Sequence, residues 1–167
     1  MGAWGQGFFN QTGEQSGSFG NRAFADGALD FFGELEYSLW ECIDDTLKQA
    51  VEAGDFTEGD LAADDGAAVV VIGELIAAAL GRPGGDLPAY AAAASTLLYA
   101  DAAAERMPML LNALAVVNDP LASELAADKA EGPDWPQWCD ALEELRHRLY
   151  AGLSALAEHQ QPAKGAA

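Results

Sequence analysis

The stretch from residue 24 to residue 53 constrains the fold most, because its apolar residues recur at steps of three or four. That spacing places them on one face of an α-helix, whereas a strand would alternate at steps of two. A helix of this length is stable only if its apolar face packs against the rest of the chain. The stripe consists of Leu29, Phe32, Leu35, Leu39, Ile43, Leu47 and Ala50.

The ends of this helix are also marked in the sequence. Asp26 is suited to be its N-cap, and Asp30 and Glu34 lie near the positive end of the helix dipole. Gly54 follows the stripe and can adopt the left-handed conformation that commonly ends a helix. We therefore expect one long helix that ends at residue 53.

Further helices follow from similar signals. A second helix is predicted to begin near Thr57, where Asp60 three residues later approximates a capping box, and to end at Gly81. A third helix is predicted from about residue 86 to Arg106, and its many alanines favour a central position with close neighbours. Pro108 should then break the pattern.

The last third of the chain predicts three more segments. A short helix should cover 109–117, another 121–130, and a long one should run from Asp134 to about Glu158. The long helix has its own apolar stripe, Trp135, Trp138, Leu142, Leu145, Leu149, Leu153 and Leu156.

Together these signals predict an all-α fold, a single-domain bundle of about five to six helices with a glycine-rich N-terminal arm. The domain should span residues 1–159. Residues 8–23 have the Gly, Ser, Gln and Asn content of a loop insertion, and residues 160–167 are expected to form a disordered tail.

The charge of the chain restricts its partners. It has 27 acidic and 8 basic side chains, a net charge of −19. Such a chain is repelled by nucleic acids and by anionic membranes, so we expect neither as a partner. An acidic surface suits a basic protein partner. The alternative is that the acidic residues only keep an alanine-rich domain soluble, for example in a salty cytoplasm.

The compartment is predicted to be the cytoplasm. The N-terminus has no basic region followed by an apolar run, and the apolar segment 67–80 is too short to span a membrane and contains Glu74. Cys42 and Cys139 both fall in predicted helices beside apolar residues, where reduced, buried thiols are expected rather than a disulfide.

No catalytic or cofactor motif is present. The chain has no P-loop, no G-x-S-x-G and no H-E-x-x-H, and Gly5-Gln6-Gly7 lacks the third glycine of a dinucleotide fingerprint. A zinc site would need Cys42, Cys139 and His147 to converge from separate positions. We expect no catalytic residue, no cofactor and no metal site. His147 is placed with Arg146 and Arg148 in a basic cluster on the outer face of the last helix.

Glu74 is the exceptional carboxylate, because it interrupts the most apolar run of the chain, residues 69–80. A carboxylate there needs a partner, a metal or a gap in the bundle surface. The simplest interpretation is a hydrogen-bonded side chain at the edge of the bundle.

The N-terminal residues carry a family resemblance. The motif MGAWGQG at 1–7, followed by FADGALDF at 24–31, resembles a bacterial family called domain of unknown function 4259. The resemblance continues through 62–83 and 119–149, treats 8–23 as an insertion, and is weaker at Ala25, where the family usually has Asn. It implies no established activity. It does imply that Trp4, Asp26 and Asp30 belong together, as a structural plug or a binding site.

These observations favour a non-enzymatic, acidic protein-interaction domain of the bacterial cytoplasm, with toxin neutralisation as one subclass. The candidate interaction site consists of Trp4, Asp26, Asp30 and Glu34. The alternative is a metal-dependent or small-molecule enzyme that uses Asp26, Asp30 and Glu34, which are spaced four residues apart on one side of the first helix.

Overall fold

The computed structural model describes residues 39–55, 61–85, 87, 92 and 95–160. Within these residues the chain forms helices and a single isolated β-bridge, with no β-strand, which confirms the predicted all-α, single-domain fold. The N-terminal arm lies outside the described residues, and Gln160 still belongs to the last helix. The helices are α1 Leu39–Asp55, α2 Ala63–Ala79, α3 Ala100–Glu105, α4 Met107–Val117, α5 Glu124–Ala130 and α6 Trp135–Gln160.

Helix α2 is the centre of the bundle. From Gly66 to Ala77 every residue except Ala68 is buried, and all five other helices contact α2. A helix that is apolar on all sides has to be surrounded by other elements. Residues 86, 88–91, 93 and 94 of the predicted third helix lie outside the described residues, so its expected central position stays a prediction. The chain is extended at Tyr99, and α3 has only six residues.

Helix α1 confirms the second half of the first apolar stripe. Ile43, Leu47 and Ala50 are fully buried, against α4 and α2. The prediction that Gly54 ends this helix is wrong, because α1 continues through it to Asp55. A Cβ atom at Gly54 would lie 2.5 Å from Cγ2 of Val116. The glycine is thus needed for the close approach of α1 to α4, not for a turn.

The start of α2 is fixed by residues far along the chain. The helix begins at Ala63, six residues after the predicted start, and Thr57 lies outside the described residues. The Leu61 N–H donates to the Ala122 carbonyl (2.7 Å), and the Glu124 N–H donates to the Leu61 carbonyl (3.0 Å). The Glu124 carboxylate accepts a hydrogen bond from the Ala63 N–H (3.2 Å). The first turn of α2 is therefore capped by a residue of α5, which local sequence signals could not reveal.

The end of α2 is fixed locally, as predicted. Gly81 has φ 77° and nothing lies near its missing side chain. The Arg82 N–H donates to the Ala77 carbonyl (2.8 Å) and the Gly81 N–H donates to the Ala78 carbonyl (2.9 Å). This pair of bonds is the Schellman motif, which requires a left-handed residue and so favours glycine.

The remaining helices occur where they were predicted, but α4 begins at Met107 instead of 109 and α5 begins at Glu124 instead of 121. Pro108 is the second residue of α4, and Arg106 separates α3 from α4. The chain turns at 118–122, and the Ser123 hydroxyl caps α5 by accepting a hydrogen bond from the Ala126 N–H (3.4 Å). Helix α6 starts directly after Asp134.

Two glycines bring α6 and α2 close together. The apolar stripe of α6 is buried from Trp138 to Leu149. A Cβ atom at Gly152 would lie 2.6 Å from the Leu80 Cβ and 3.3 Å from its carbonyl oxygen. At Gly73 a Cβ atom would be 3.0 Å from Cδ2 of Leu145, the flexible end of a side chain.

These two contacts predict that an added methyl group destabilises the fold at Gly152 more than at Gly73. Gly152→Ala should lower the free energy of unfolding by about 1–3 kcal/mol, because the new methyl group meets atoms that cannot rotate away. Gly73→Ala should change it by less than about 1 kcal/mol, because Leu145 can shift and alanine favours the helix. Urea unfolding of both variants measures the difference. Equal stabilities would contradict the close packing of α6 on the end of α2.

Candidate functional site

The residues predicted to form an interaction site, Trp4, Asp26, Asp30 and Glu34, lie outside the described residues. Their grouping stays a prediction. The polar and charged side chains of the described helices form three other constellations, each built around one cation: Arg148, Arg106 or Lys129.

The first constellation is a buried ion pair between α2 and α6. Glu74 is 1% exposed. Arg148 Nη2 donates to Glu74 Oε1 (2.6 Å) and Nη1 to Oε2 (2.9 Å), which is a bidentate pair. Arg148 Nε also donates to Glu144 Oε1 (2.8 Å), and Nη1 lies 3.2 Å from the Arg82 carbonyl oxygen. The guanidinium therefore connects the middle of α2, its C-terminal turn and α6.

These partners stabilise the protonated, positively charged form of the Arg148 guanidinium. Burial alone lowers the pKa of the guanidinium, but the hydrogen bonds and negative charges of Glu74, and then of Glu144, raise it above its usual value. Both oxygens of Glu74 are taken by the guanidinium. The bidentate pair connects α2 to α6 and gives the buried Glu74 carboxylate its countercharge.

This pairing resolves the sequence prediction for Glu74 and corrects that for Arg148. Glu74 has the expected partner, but it is fully buried and not at the bundle edge. Arg148 does not belong to an outer basic cluster, because its side chain is only 15% exposed. Arg148 lies three residues after Leu145 and four before Gly152, which places it on the packed face of α6. This spacing is the sequence feature that could have predicted its burial.

The second constellation joins α1 to the junction of α3 and α4. Arg106 Nε donates to Asp44 Oδ1 (2.7 Å) and Nη2 to Oδ2 (2.9 Å), and Nη1 donates to the Ala102 carbonyl (2.9 Å). The guanidinium carbon lies 4.1 Å from the ring centroid of Trp40, a cation–π contact. Sequence reasoning missed this site, although Trp40 and Asp44 are four apart on α1 and so share a face.

The third constellation is a buried lysine in α5. Lys129 is 5% exposed. Burial lowers the pKa of its ammonium group from 10.5 to about 8, and the nearby charges of Asp128 and Asp134 oppose part of this shift. Sequence reasoning did not single out Lys129, because it lies among polar residues of a short helix.

With this geometry in view, the comparisons with known proteins define the family. The family model "Domain of unknown function (DUF4259)" matches residues 16–141, about three quarters of the chain. The chain belongs to the DUF4259 family. No curated protein and no solved structure matches it.

The DUF4259 match includes α1 to α5 and the first turns of α6, so the suspected family is confirmed. It therefore covers Glu74, Asp44, Arg106 and Lys129, while Arg148 lies beyond it. The opening motif at 1–7 precedes the matched region, so the grouping of Trp4 with Asp26 stays a prediction.

The cysteines of this DUF4259 protein are free thiols of low reactivity. Cys42 and Cys139 are half-buried and unbridged. Burial, and then the nearby charge of Asp45 or Asp140, raises the pKa of each thiol above 9.0, which disfavours the nucleophilic thiolate at neutral pH. His147 lies 3.3 Å from Glu143 on the exposed side of α6.

The described residues contain no group of three His, Cys, Asp or Glu side chains placed to hold a metal ion. This excludes a zinc site formed by Cys42, Cys139 and His147. In the same part of the chain, no helix combines the length and the apolar character needed to cross a bilayer.

The surface of the described bundle is dominated by carboxylates. Arg148 and Arg106 are turned inward to Glu74 and Asp44, and Lys129 is buried. These inward cations leave most carboxylates facing solvent. The exposed ones are Glu41, Asp45, Glu52, Asp55, Asp64, Asp65, Asp101, Glu105, Asp119, Glu124, Asp128, Glu131, Asp140, Glu143, Glu144 and Glu158.

The buried ion pair predicts a strong dependence on both partners. Arg148→Met should lower the free energy of unfolding by about 3–5 kcal/mol, because it leaves the Glu74 carboxylate buried without its main countercharge. The double variant Glu74→Leu/Arg148→Met should recover most of this loss. Arg146→Met is the control, because Arg146 and Glu143 are 40% and 59% exposed and lie 4.0 Å apart, so its loss should change stability by less than about 1 kcal/mol. The pairing would be contradicted if the double variant lost as much stability as Glu74→Leu and Arg148→Met lose in sum.

Lys129 predicts a pH dependence of stability. Its pKa is lower in the folded than in the unfolded chain, so the unfolded state binds more protons between about pH 8 and pH 10.5. The wild type should therefore gain stability relative to Lys129→Met as the pH rises from 7 to 10, by about 2 kcal/mol. Denaturant titrations of both proteins at each pH measure this difference. A constant difference would mean that Lys129 titrates at its ordinary pKa.

Proposed function

We propose that this chain is a non-enzymatic protein-interaction domain of the bacterial cytoplasm whose acidic surface binds a basic protein. The observation that carries the proposal is the separation of charge in the bundle. Arg148 pairs with the buried Glu74, Arg106 pairs with Asp44 and Lys129 is buried. Most carboxylates are exposed, and Lys48 and Arg82 are the exposed Lys and Arg residues of the described chain.

The exposed carboxylates give the described surface a strongly negative charge. A surface with this charge attracts a basic partner over distances up to about 10 Å at moderate salt and accelerates encounter. It also rejects acidic partners, since like charges brought together at an interface cost several kcal/mol. The negative charge of the surface thus favours partners with a basic surface over partners with an acidic one.

The polar constellations inside the bundle also favour binding over catalysis. Glu74 pairs with Arg148 and Asp44 pairs with Arg106, each through two hydrogen bonds of 2.6–2.9 Å. Catalytic acids and bases need a lone pair or proton directed at a substrate. These side chains instead connect helices, so they support a rigid framework that presents a charged surface.

A basic toxin is one partner class with the required chemistry. A small acidic protein that covers the basic surface of a toxin would neutralise the charge of the toxin. It would also block the contact of the toxin with nucleic acid or membrane. The proposal includes this class as the more specific form of the interaction function.

Binding to a basic partner can be tested by capture and reconstitution. The full chain, immobilised, should retain from bacterial extract a protein with a basic surface that rebinds in purified form at a fixed stoichiometry. The dissociation constant of the purified pair should rise at least tenfold between about 50 mM and 300 mM salt, because exposed charges are screened. Isothermal titration calorimetry at each salt concentration measures it.

A second measurement uses a variant in which the exposed Asp64, Asp65, Asp128 and Glu131 are changed to the corresponding amides. This variant has less negative surface charge and should bind the partner more weakly than the wild type. If affinity did not depend on salt or on any such surface substitution, the acidic surface would not be the determinant of binding. A large thermal shift with divalent ions and no protein partner would instead favour the metal-dependent enzyme.

A further inference from the structure

Exposed apolar side chains lie just before α3 and in the first turn of α4, next to exposed carboxylates in the sequence. Leu97 is 66% exposed and Tyr99 is 76% exposed, although Leu98 between them is buried in the core. Met109, in the first turn of α4, is 39% exposed. Large apolar side chains grouped at a surface and fixed by a buried neighbour are typical of interaction sites.

Carboxylates surround these side chains. Asp101 and Glu105 are four residues apart, Met109 follows four residues later, and all three are exposed. The Gln160 side chain donates a hydrogen bond to Asp101 Oδ1 (2.7 Å), which holds the last turn of α6 beside the start of α3. That turn carries the exposed Glu158 and the negative end of the α6 dipole.

The nearest arginine of α3 and α4 does not neutralise this surface. The guanidinium of Arg106 is engaged instead with Asp44 and the Trp40 ring. His159, in the last turn of α6, is engaged with the carbonyl of Ala155 through Nδ1 (2.7 Å). The apolar group therefore lies within a field of negative charge.

We propose that Leu97, Tyr99 and Met109, with Asp101 and Glu105, form the docking surface for a basic amphipathic segment of a partner protein. The inference rests on the proposed function and gives it a location. The segment would place apolar side chains on Leu97 and Tyr99 and direct Lys or Arg side chains to Asp101, Glu105 and Glu158. Aromatic and apolar anchors with a charged rim are the arrangement that protein interfaces use.

Charge complementarity selects this occupant over a second copy of the chain. Two copies meeting at this surface would bring Asp101, Glu105 and Glu158 of one against those of the other. Such a contact is opposed by like-charge repulsion, whereas a basic segment is attracted. The surface is also suited to a helix of the partner, since its acidic and apolar residues follow the length of α3 and the start of α4.

The test uses three amidated 18-residue peptides and the full chain labelled with ¹⁵N. The first peptide is an amphipathic helix with a Leu face and a Lys face, the second replaces Leu by Ser, and the third replaces Lys by Glu. The first peptide alone should shift the amide signals of residues 97–109 saturably.

Two variants test the two kinds of contact separately. Leu97→Ser/Tyr99→Ser should raise the dissociation constant of the first peptide at least tenfold. Asp101→Asn/Glu105→Gln, in which the apolar residues are intact, should also raise this dissociation constant at least tenfold.

The matched control is Leu121→Ser, because Leu121 is 89% exposed but follows the far end of α4. It should leave the affinity unchanged, and circular dichroism should report equal helix content in all variants. Equal binding of the Lys–Ser peptide would support an acidic interaction domain but overturn the apolar docking surface. Binding of neither basic peptide would overturn both, and a dimer that requires Leu97 and Tyr99 would overturn the proposed occupant.

Discussion

The fold depends on the complete burial of α2. Nine consecutive residues of this helix, from Val69 to Ala77, are buried, so α1, α3, α4, α5 and α6 all have to contact it. The contacts are close because Gly73 and Gly152 lack side chains where α2 and α6 approach. One carboxylate, Glu74, lies inside this apolar helix, and its desolvation requires a cation at that depth. Arg148 supplies it from α6, so the burial of α2 also fixes the register of the longest helix.

The same requirement explains the distribution of charge. A chain with 8 basic and 27 acidic side chains cannot pair most of its carboxylates. The bundle uses Arg148 and Arg106 where pairing matters most, at a buried carboxylate and at the joint between α1 and α3–α4. The exposed carboxylates are left to water, where their charge is screened and their hydration is favourable. The acidic exterior thus follows from the excess of 27 acidic over 8 basic side chains, and the proposed binding function makes use of it.

The local arrangement around Tyr99 connects the fold to that function. The chain is extended at Tyr99 because α3 starts at Ala100, and Leu98 is anchored in the core. This anchoring holds Leu97 and Tyr99 outward on either side of a buried residue. Gln160 then brings the end of α6 to Asp101. The surface therefore combines apolar anchors, carboxylates and a helix C-terminus on elements held by the core, a preorganised arrangement that lowers the entropy cost of binding.

Features that depend on neighbouring residues could be predicted from the sequence. Periodicity predicted the all-α class, the buried face of α1 from Ile43 to Ala50 and the stripe of α6, and Gly81 predicted the end of α2 because a left-handed residue is needed there. Packing between distant helices was needed to show that α2 is buried on all sides, that Gly54 serves packing, that Glu124 caps α2 and that Arg148 turns inward to Glu74. These contacts join residues 61–74 positions apart. Their pairing depends on how helices cross in space, which no local pattern of side chains specifies.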